Sequence, residues 1–265
     1  MASIKGILLS SLKKESVKVS IITACFHSAN TIADTLNCIA NQSHPHIEHI
    51  IIDGGSSDDT MKIVEQFSHI TKKISEKDKG IYHAMNKGIA MSTGDIVGIL
   101  NADDIYAHTD VIKKVVNLFL DESIDAVYAD LVFVDQHDTS RVKRTWKSGT
   151  YQIEQFYNGW MPPHPTFFVR KTVYEKFGNF NTSLSSAADY ELMLRFLLKN
   201  KIKPAYLQET IVRMRQGGKS TASLKNRLIA NREDRIAWRI NELNPTIFTL
   251  ILKPLRKLKQ FITYE

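Results

Sequence analysis

An α/β fold built around a largely parallel sheet is what this 265-residue sequence predicts, on three observations. Val17 to Ala24, Ile47 to Ile52 and Ile96 to Leu100 are apolar almost without interruption, as strands covered on both faces of a parallel sheet tend to be. Stretches with helical spacing separate such runs, about Ala29 to Gln42 and Gly80 to Met91, giving the β-α-β order of that fold class. Each apolar run also stops abruptly in a polar or acidic turn. With 43% hydrophobic and 24% charged residues the chain can bury a core of its own, which excludes a disordered or fibrous protein.

Taken in order, Val17 to Ala24 opens the sheet, the helix over about 29–42 crosses it, and Ile47 to Ile52 returns as the second strand. DGGSSDDT then supplies a turn and helix-capping residues ahead of Met61, Ile63, Val64 and Phe67 at helical spacing. Ile70 to Ser75 reads as a short third strand and Ile96 to Leu100 as a buried fourth, followed at once by NADD and a helix from His108 to Leu120. Ala126 to Val134 and Arg141 to Trp146 flank the turn-forming HDTS and predict an antiparallel pair. Tyr151 to Pro163 has no period and reads as a long loop beside a cleft, and Asp189 to Asn200 as a largely buried helix. These readings divide the chain into an N-terminal extension (1–16), a main domain (17–218) and a helical tail (219–265).

Charge is distributed unevenly. The formal net charge is +7, yet ten Lys and Arg against four acids lie in 219–265, so the body is nearly neutral. The basic residues there alternate with Ile, Leu and Phe rather than with base-stacking aromatics on one face, which argues against a nucleic-acid partner and for an anionic membrane surface. From Ile247 onward the tail reads as a basic amphipathic helix, kinked at Pro254, lying on a membrane or packed on the domain. No stretch approaches the roughly 20 apolar residues of a membrane-spanning helix. Two cysteines, Cys25 and Cys38, are too few for a disulfide framework and suit a reducing compartment. The N-terminal apolar run is too short for a secretory leader, so the expectation is a cytoplasmic protein, peripheral on the inner face of the membrane if the tail binds there.

In an open parallel sheet ligands bind beyond the carboxyl ends of the strands. The residues there are acidic: Asp53, Asp78, Asp103 and Asp104. Gathered on one rim, such acids repel one another unless a cation sits among them, and Mg²⁺ favours one or two carboxylates plus phosphate oxygens. A metal-bound diphosphate is therefore expected. The glycine-rich dinucleotide fingerprint is missing, since TACFHSAN follows the first strand, and no Walker sequence occurs.

VSIITACFHSANTIADTLNCIANQS, IIIDGGSSDDT, EKDKGIYHAMNKGIAMSTGD, NADD, HPTFFVRK and AADYELMLR, in this order over about Val19 to Ser220, closely resemble the family-two glycosyltransferases. The resemblance implies the GT-A fold, a Rossmann-like mixed sheet flanked by helices, and an inverting, metal-dependent transfer from a nucleoside-diphosphate sugar. It implies that Thr23, Ala24 and Phe26 line the base and ribose pocket and that Asp53 accepts a hydrogen bond from the base. It further places Asp78, Asn86 and Lys87 on the nucleotide sugar. In NADD, Asp103 matches the metal-ligating acid of the family's DxD element, for Mg²⁺ or Mn²⁺. Asp104 matches the acid near the sugar or acceptor, and Asn101 stands where that element has its first Asp, able to bond a ribose hydroxyl. His164 reaches the donor or metal, or serves structure. Asp189, in AADYELMLR, matches the catalytic base of the family's ED motif, with Ala188 in place of Glu.

Uridine is the base the family implies, although DGGS in place of its common DDGS leaves that open. The expected acceptor is a glycan or polyprenyl-linked hydroxyl in surface-polysaccharide synthesis such as that of lipopolysaccharide. Two other readings stand beside it: a glycosyltransferase-like protein that only binds nucleotide or assembles a complex, and a sugar-phosphate nucleotidyltransferase. The second lacks the glycine-rich basic loop it needs after the first strand.

Overall fold

The structure is a computed structural model that describes residues 16–217 and 224–246, with Thr249, Leu252 and Lys253. Residues 1–15 of the expected extension and most of the amphipathic segment 247–265 lie outside the described residues. The strands β1 (Val19–Cys25), β2 (Ile47–Asp53), β3 (Ile70–Ser75) and β4 (Ile96–Ile99) fall where their apolar runs predict them. Between them run the helices α1 (Ile32–Ala40), α2 (Thr60–Val64) and α3 (Ile81–Met91). Every residue of β1 and β4 is buried, the physical reason their sequences do not alternate.

The second half turns the sheet mixed. It contributes β5 (Ile105–Tyr106), α4 (Val111–Phe119), β6 (Ala126–Val134), β7 (Val142–Trp146), β8 (Phe168–Arg170), α5 (Lys171–Phe177), α6 (Ala188–Met193), β9 (Pro204–Arg215) and α7 (Leu224–Ile240). The sheet order is β3-β2-β1-β4-β8-β6-β9-β5, with β7 pairing β6. β1 to β4 are mutually parallel, whereas β8 runs antiparallel to both β4 and β6. The expected β6–β7 hairpin is present, and the expected loop after it holds a 3-10 helix, Ile153–Asn158. The expected helix from Asp189 is α6 followed by a π-helical turn, Leu194–Lys199.

Two apolar layers enclose this sheet. On one face Ile22, Ile50, Ile52, Met85 and Ile89 pack with Tyr190, Phe196 and Trp238. On the other, Ile21, Leu100, Val115, Val116 and Phe119 pack with Phe168 and Val212. Helix α3 lies hard against β1: a Cβ added at Gly88 would stand 2.3 Å from Ile22 Cγ2, so only glycine permits the approach that carries Lys87 to the strand ends. α7 is part of the first layer through Ala237 and Trp238, so the beginning of the basic tail packs on the main domain.

Candidate functional site

The site is the rim where β1 to β4 end, and its centre is the NADD turn after β4. The turn is pinned from two sides. Thr35 Oγ1 on α1 donates to the carbonyl of Asp104 at 2.7 Å, and Arg215, at the end of β9, donates to the carbonyl of Asp103 at 2.8 Å. Arg215 is itself fixed by Asp34 and by the carbonyl of Gln136. Asp104 is fully buried; Asn101 Nδ2 donates to its Oδ2 at 3.1 Å. Asp104 Oδ1 and Asn101 Oδ1 are buried with no hydrogen-bond donor. Burial, then the neighbouring Asp103 charge, pushes Asp104 well above the ordinary carboxylate range; burial also raises Asp103, against the opposing Arg215 guanidinium.

The rest of the expected acidic rim is organised differently. Asp53 has no open acceptor. Gly55 N (3.2 Å), Ser56 N (2.9 Å), Ser56 Oγ (2.5 Å) and Ser75 Oγ (2.6 Å) donate to its carboxylate, as does Cys25 Sγ at 3.6 Å. Burial would raise its pKa, but the hydrogen bonds from Ser56 and Ser75 hold it low. These donors fill the roughly four lone-pair sites of a carboxylate. In the structure this carboxylate orders the 54–56 turn.

Asp78 is neutralised by Lys87 at 2.6 Å, and Lys87 also meets Glu76 at 2.5 Å. Asp78 Oδ2 stays buried and unpaired. Among the described residues no three Asp, Glu, His or Cys side chains gather as a metal cage. The expected four-acid cluster reduces to the adjacent pair Asp103 and Asp104, because the other acids carry their own partners.

Thr23 and Ala24 are interior residues of β1, Thr23 held by His49 Nε2 at 3.1 Å, so neither opens on a pocket as expected. Phe26 is 48% exposed and stacks on His27 with ring centroids 4.0 Å apart. Asn86, expected on the nucleotide sugar, bonds the main chain of Phe180. Its Nδ2 donates to the Phe180 carbonyl and its Oδ1 accepts from the Phe180 amide, both at 2.9 Å.

Phe180 is the hub of the opposite wall. Tyr82 stacks on it at 5.5 Å, and His164 packs edge-on at 5.5 Å. The Tyr82 hydroxyl donates to Asp189 Oδ1 at 3.2 Å. Burial lowers the pKa of His164 and the charge of Asp189 partly offsets this, which places the two side chains in one electrostatic neighbourhood. The turn carrying His164 packs against β4 and β6, so this wall and the NADD turn share the same end of the sheet.

Sequence reasoning missed Tyr82, Arg215 and Glu233. Glu233, on α7, accepts hydrogen bonds from the Ser185 amide (2.9 Å), Ser185 Oγ (2.6 Å), the Ser186 amide (2.7 Å) and the Ala187 amide (3.1 Å). Tyr82 lies inside GIYHAMNKG and Arg215 closes TIVRMR, but Glu233, beside Asp234 among the arginines of a basic tail, gives no local signal.

The donor set at the NADD turn suits a hard divalent cation: it consists of oxygens only, two of them buried and unpaired, beside two acids whose charge is costly without a counter-ion.

Comparison with known proteins places the fold and the family. An uncharacterized glycosyltransferase of Mycobacterium tuberculosis is 29% identical over 186 residues, 68% of this chain and 69% of its own. A PGL/p-HBAD biosynthesis glycosyltransferase of Mycobacterium bovis is 24% identical over 204 residues, covering 75% and 77%. Among solved structures, S. aureus TarS 1-349 in complex with UDP-GlcNAc superposes with a TM-score of 0.64 at 18% identity, covering 92% of this chain and 71% of that one. The mannosyltransferase PcManGT from Pyrobaculum calidifontis, in complex with GDP-Man and Mn²⁺, gives 0.63 at 16% identity, covering 97% and 78%. In the longer TarS structure this chain spans 44% of the length. The fold is thus the Rossmann-like GT-A fold. Residues 20–178 match the model of Glycosyl transferase family 2, and with more than half of its length so matched the chain belongs to that family of glycosyltransferases.

Proposed function

We propose that the protein transfers a sugar, a hexose or N-acetylhexosamine, from a nucleoside-diphosphate donor to a hydroxyl of a glycan or polyprenyl-linked acceptor, with inversion, in surface-polysaccharide synthesis. The observation that carries the reading is the NADD turn: two adjacent acids of raised pKa with unpaired buried oxygens at Asp104 and Asn101. Asp103 would hold Mg²⁺ or Mn²⁺ there, which neutralises the diphosphate as it leaves. Phe26 offers an exposed ring against the base, and Asp78 Oδ2 an open acceptor for the donor. That nucleotide is expected to be uridine; TarS and PcManGT, bound to UDP-GlcNAc and GDP-Man, support the nucleotide-sugar class.

Asp189 takes the acceptor proton. The hydroxyl oxygen then forms the new glycosidic bond as the anomeric carbon–diphosphate bond breaks, and the nucleoside diphosphate departs. With one carboxylate and attack opposite the leaving group, the anomeric configuration inverts. No helix among the described residues is long and apolar enough to cross a membrane. The exposed Arg232, Arg235 and Arg239 with Ile229 and Ile240 on the outer face of α7 support a cytoplasmic enzyme resting on an anionic membrane surface.

The test screens nucleotide sugars for Mn²⁺-dependent thermal stabilisation and turnover. Asp103→Ala should abolish the metal-dependent stabilisation, and Asp189→Asn should lose at least 100-fold in turnover while still binding donor. Donor-dependent stabilisation without turnover of any nucleotide sugar would favour the nucleotide-binding alternative, and undiminished turnover in both variants would overturn the roles given to Asp103 and Asp189.

A further inference from the structure

The helix that carries Asp189 begins without a cap of its own: Ala187 precedes α6 and offers no side-chain acceptor. The acceptor comes from 46 residues away. Glu233 on α7 is buried and receives four hydrogen bonds from Ser185, Ser186 and Ala187, the turn that leads directly into Asp189. The same tail grips the next turn of the helix. Trp238 Nε1 donates to the Tyr190 hydroxyl at 2.9 Å, and Asn241 Nδ2 donates to Glu191 Oε1 at 3.0 Å. Lys253 Nζ lies 3.3 Å from the centre of the Tyr190 ring while paired with Asp234 at 2.6 Å. Four tail residues therefore hold the residues on both sides of Asp189, while Asp189 itself is left to Tyr82 and the cleft.

Resting on the transferase reading above, we infer that Glu233 is a positioning residue for catalysis: the start of the basic tail is a clamp that sets the placement of Asp189 against the acceptor hydroxyl. The chemistry favours this over simple docking of a helix. A carboxylate that accepts three consecutive backbone amides fixes the path of the main chain, which an apolar contact between helices does not. General-base catalysis depends on hydrogen-bond reach to the proton being moved, and a displacement of about 1 Å can cost about 100-fold in rate.

Glu233→Gln preserves volume but points an amide at donors, and Glu233→Ala removes the acceptor altogether. Hydrogen–deuterium exchange on the Mn²⁺-loaded full chain should show the 183–191 amides exchanging at least tenfold faster in Glu233→Gln, with β1 to β4 unchanged. With UDP-N-acetylglucosamine and Mn²⁺ as probe, kcat should fall about 10- to 100-fold while donor KM and UDP affinity stay within twofold. Unchanged exchange at 183–191, or unchanged kcat, overturns the clamp. If Glu233→Ala does not fold, the Gln variant alone decides. Asp189→Asn separates the two levels: if it keeps full turnover the assignment of the base fails, whereas its inactivity alongside a fully active Glu233→Gln removes the clamp and leaves the base in place.

Discussion

The Tyr82 hydroxyl donates a 3.2 Å hydrogen bond to Oδ1 of Asp189. Tyr82 comes from the first turn of α3, at the β3 side of the rim, and Asp189 from the helix held by the tail. The bond joins the expected donor-binding half to the expected acceptor half, and on the proposed reading Oδ2 of the same carboxylate would meet the incoming hydroxyl. Tyr82→Phe should therefore lower kcat about 10- to 100-fold, in line with about 1.5–3 kcal/mol for a hydrogen bond to a charged group. Donor affinity should stay the same, which separates the variant from any change at the NADD turn. Steady-state kinetics beside UDP titration of the same preparation checks it.

Asp104 makes a prediction of opposite sign from most buried acids. Its folded-state pKa is raised above the ordinary 3.8, so the folded state favours the protonated form. Its stabilising contribution is complete below the ordinary value and is lost as pH climbs toward the raised one. Asp104→Asn should raise the melting temperature of the metal-free protein at pH 7.5 by about 2–4 °C, on the scale of about 1 kcal/mol for a chain of this size. The same substitution should reduce the additional stabilisation brought by Mn²⁺ with UDP. Scanning calorimetry with and without metal reads both effects.

His49 sets an acid limit. It is fully buried, with Nδ1 at 3.0 Å from His69 Nε2, and burial with the neighbouring His69 charge pushes its pKa from 6.5 down to about 3. The folded state therefore holds it neutral, and stability is lost as pH falls below 6.5 because only the unfolded chain takes up the proton readily. Between pH 7 and pH 5 this one group should cost about 2 kcal/mol of unfolding free energy. Urea denaturation across that range should show the slope, and His49→Gln should flatten it.

The front half of this fold was legible because burial on both faces leaves a nearly continuous apolar signature in β1, β2 and β4. β9 was not. Pro204 to Arg215 is a long strand whose residues are mostly half-buried, so polar and apolar types mix without a run or strict alternation. At the candidate site the sequence singles out Asp103 and Asp104 in NADD and Asp189 in AADYELMLR by residue type and motif. The site was not legible where a polar residue serves the backbone. Asp53 bonds a turn and Asn86 the main chain of Phe180, and a sequence carries no mark of which partners a carboxylate or amide will meet. Glu233 was hidden for the converse reason, since an acid among arginines in a tail reads as solvated.

One feature of the cleft bears on how such enzymes diverge. Asn86 holds Phe180 entirely through main-chain N–H and C=O, with no demand on the side chain at 180. The stretch matched by the family ends at residue 178, and Asp189, its clamp and the tail all follow. On the proposed transferase reading, a main-chain latch at that seam would let the trailing segment exchange its side chains for a new acceptor while staying in register with the half that holds the nucleotide. Retooling for another acceptor would then need no renegotiation of the joint.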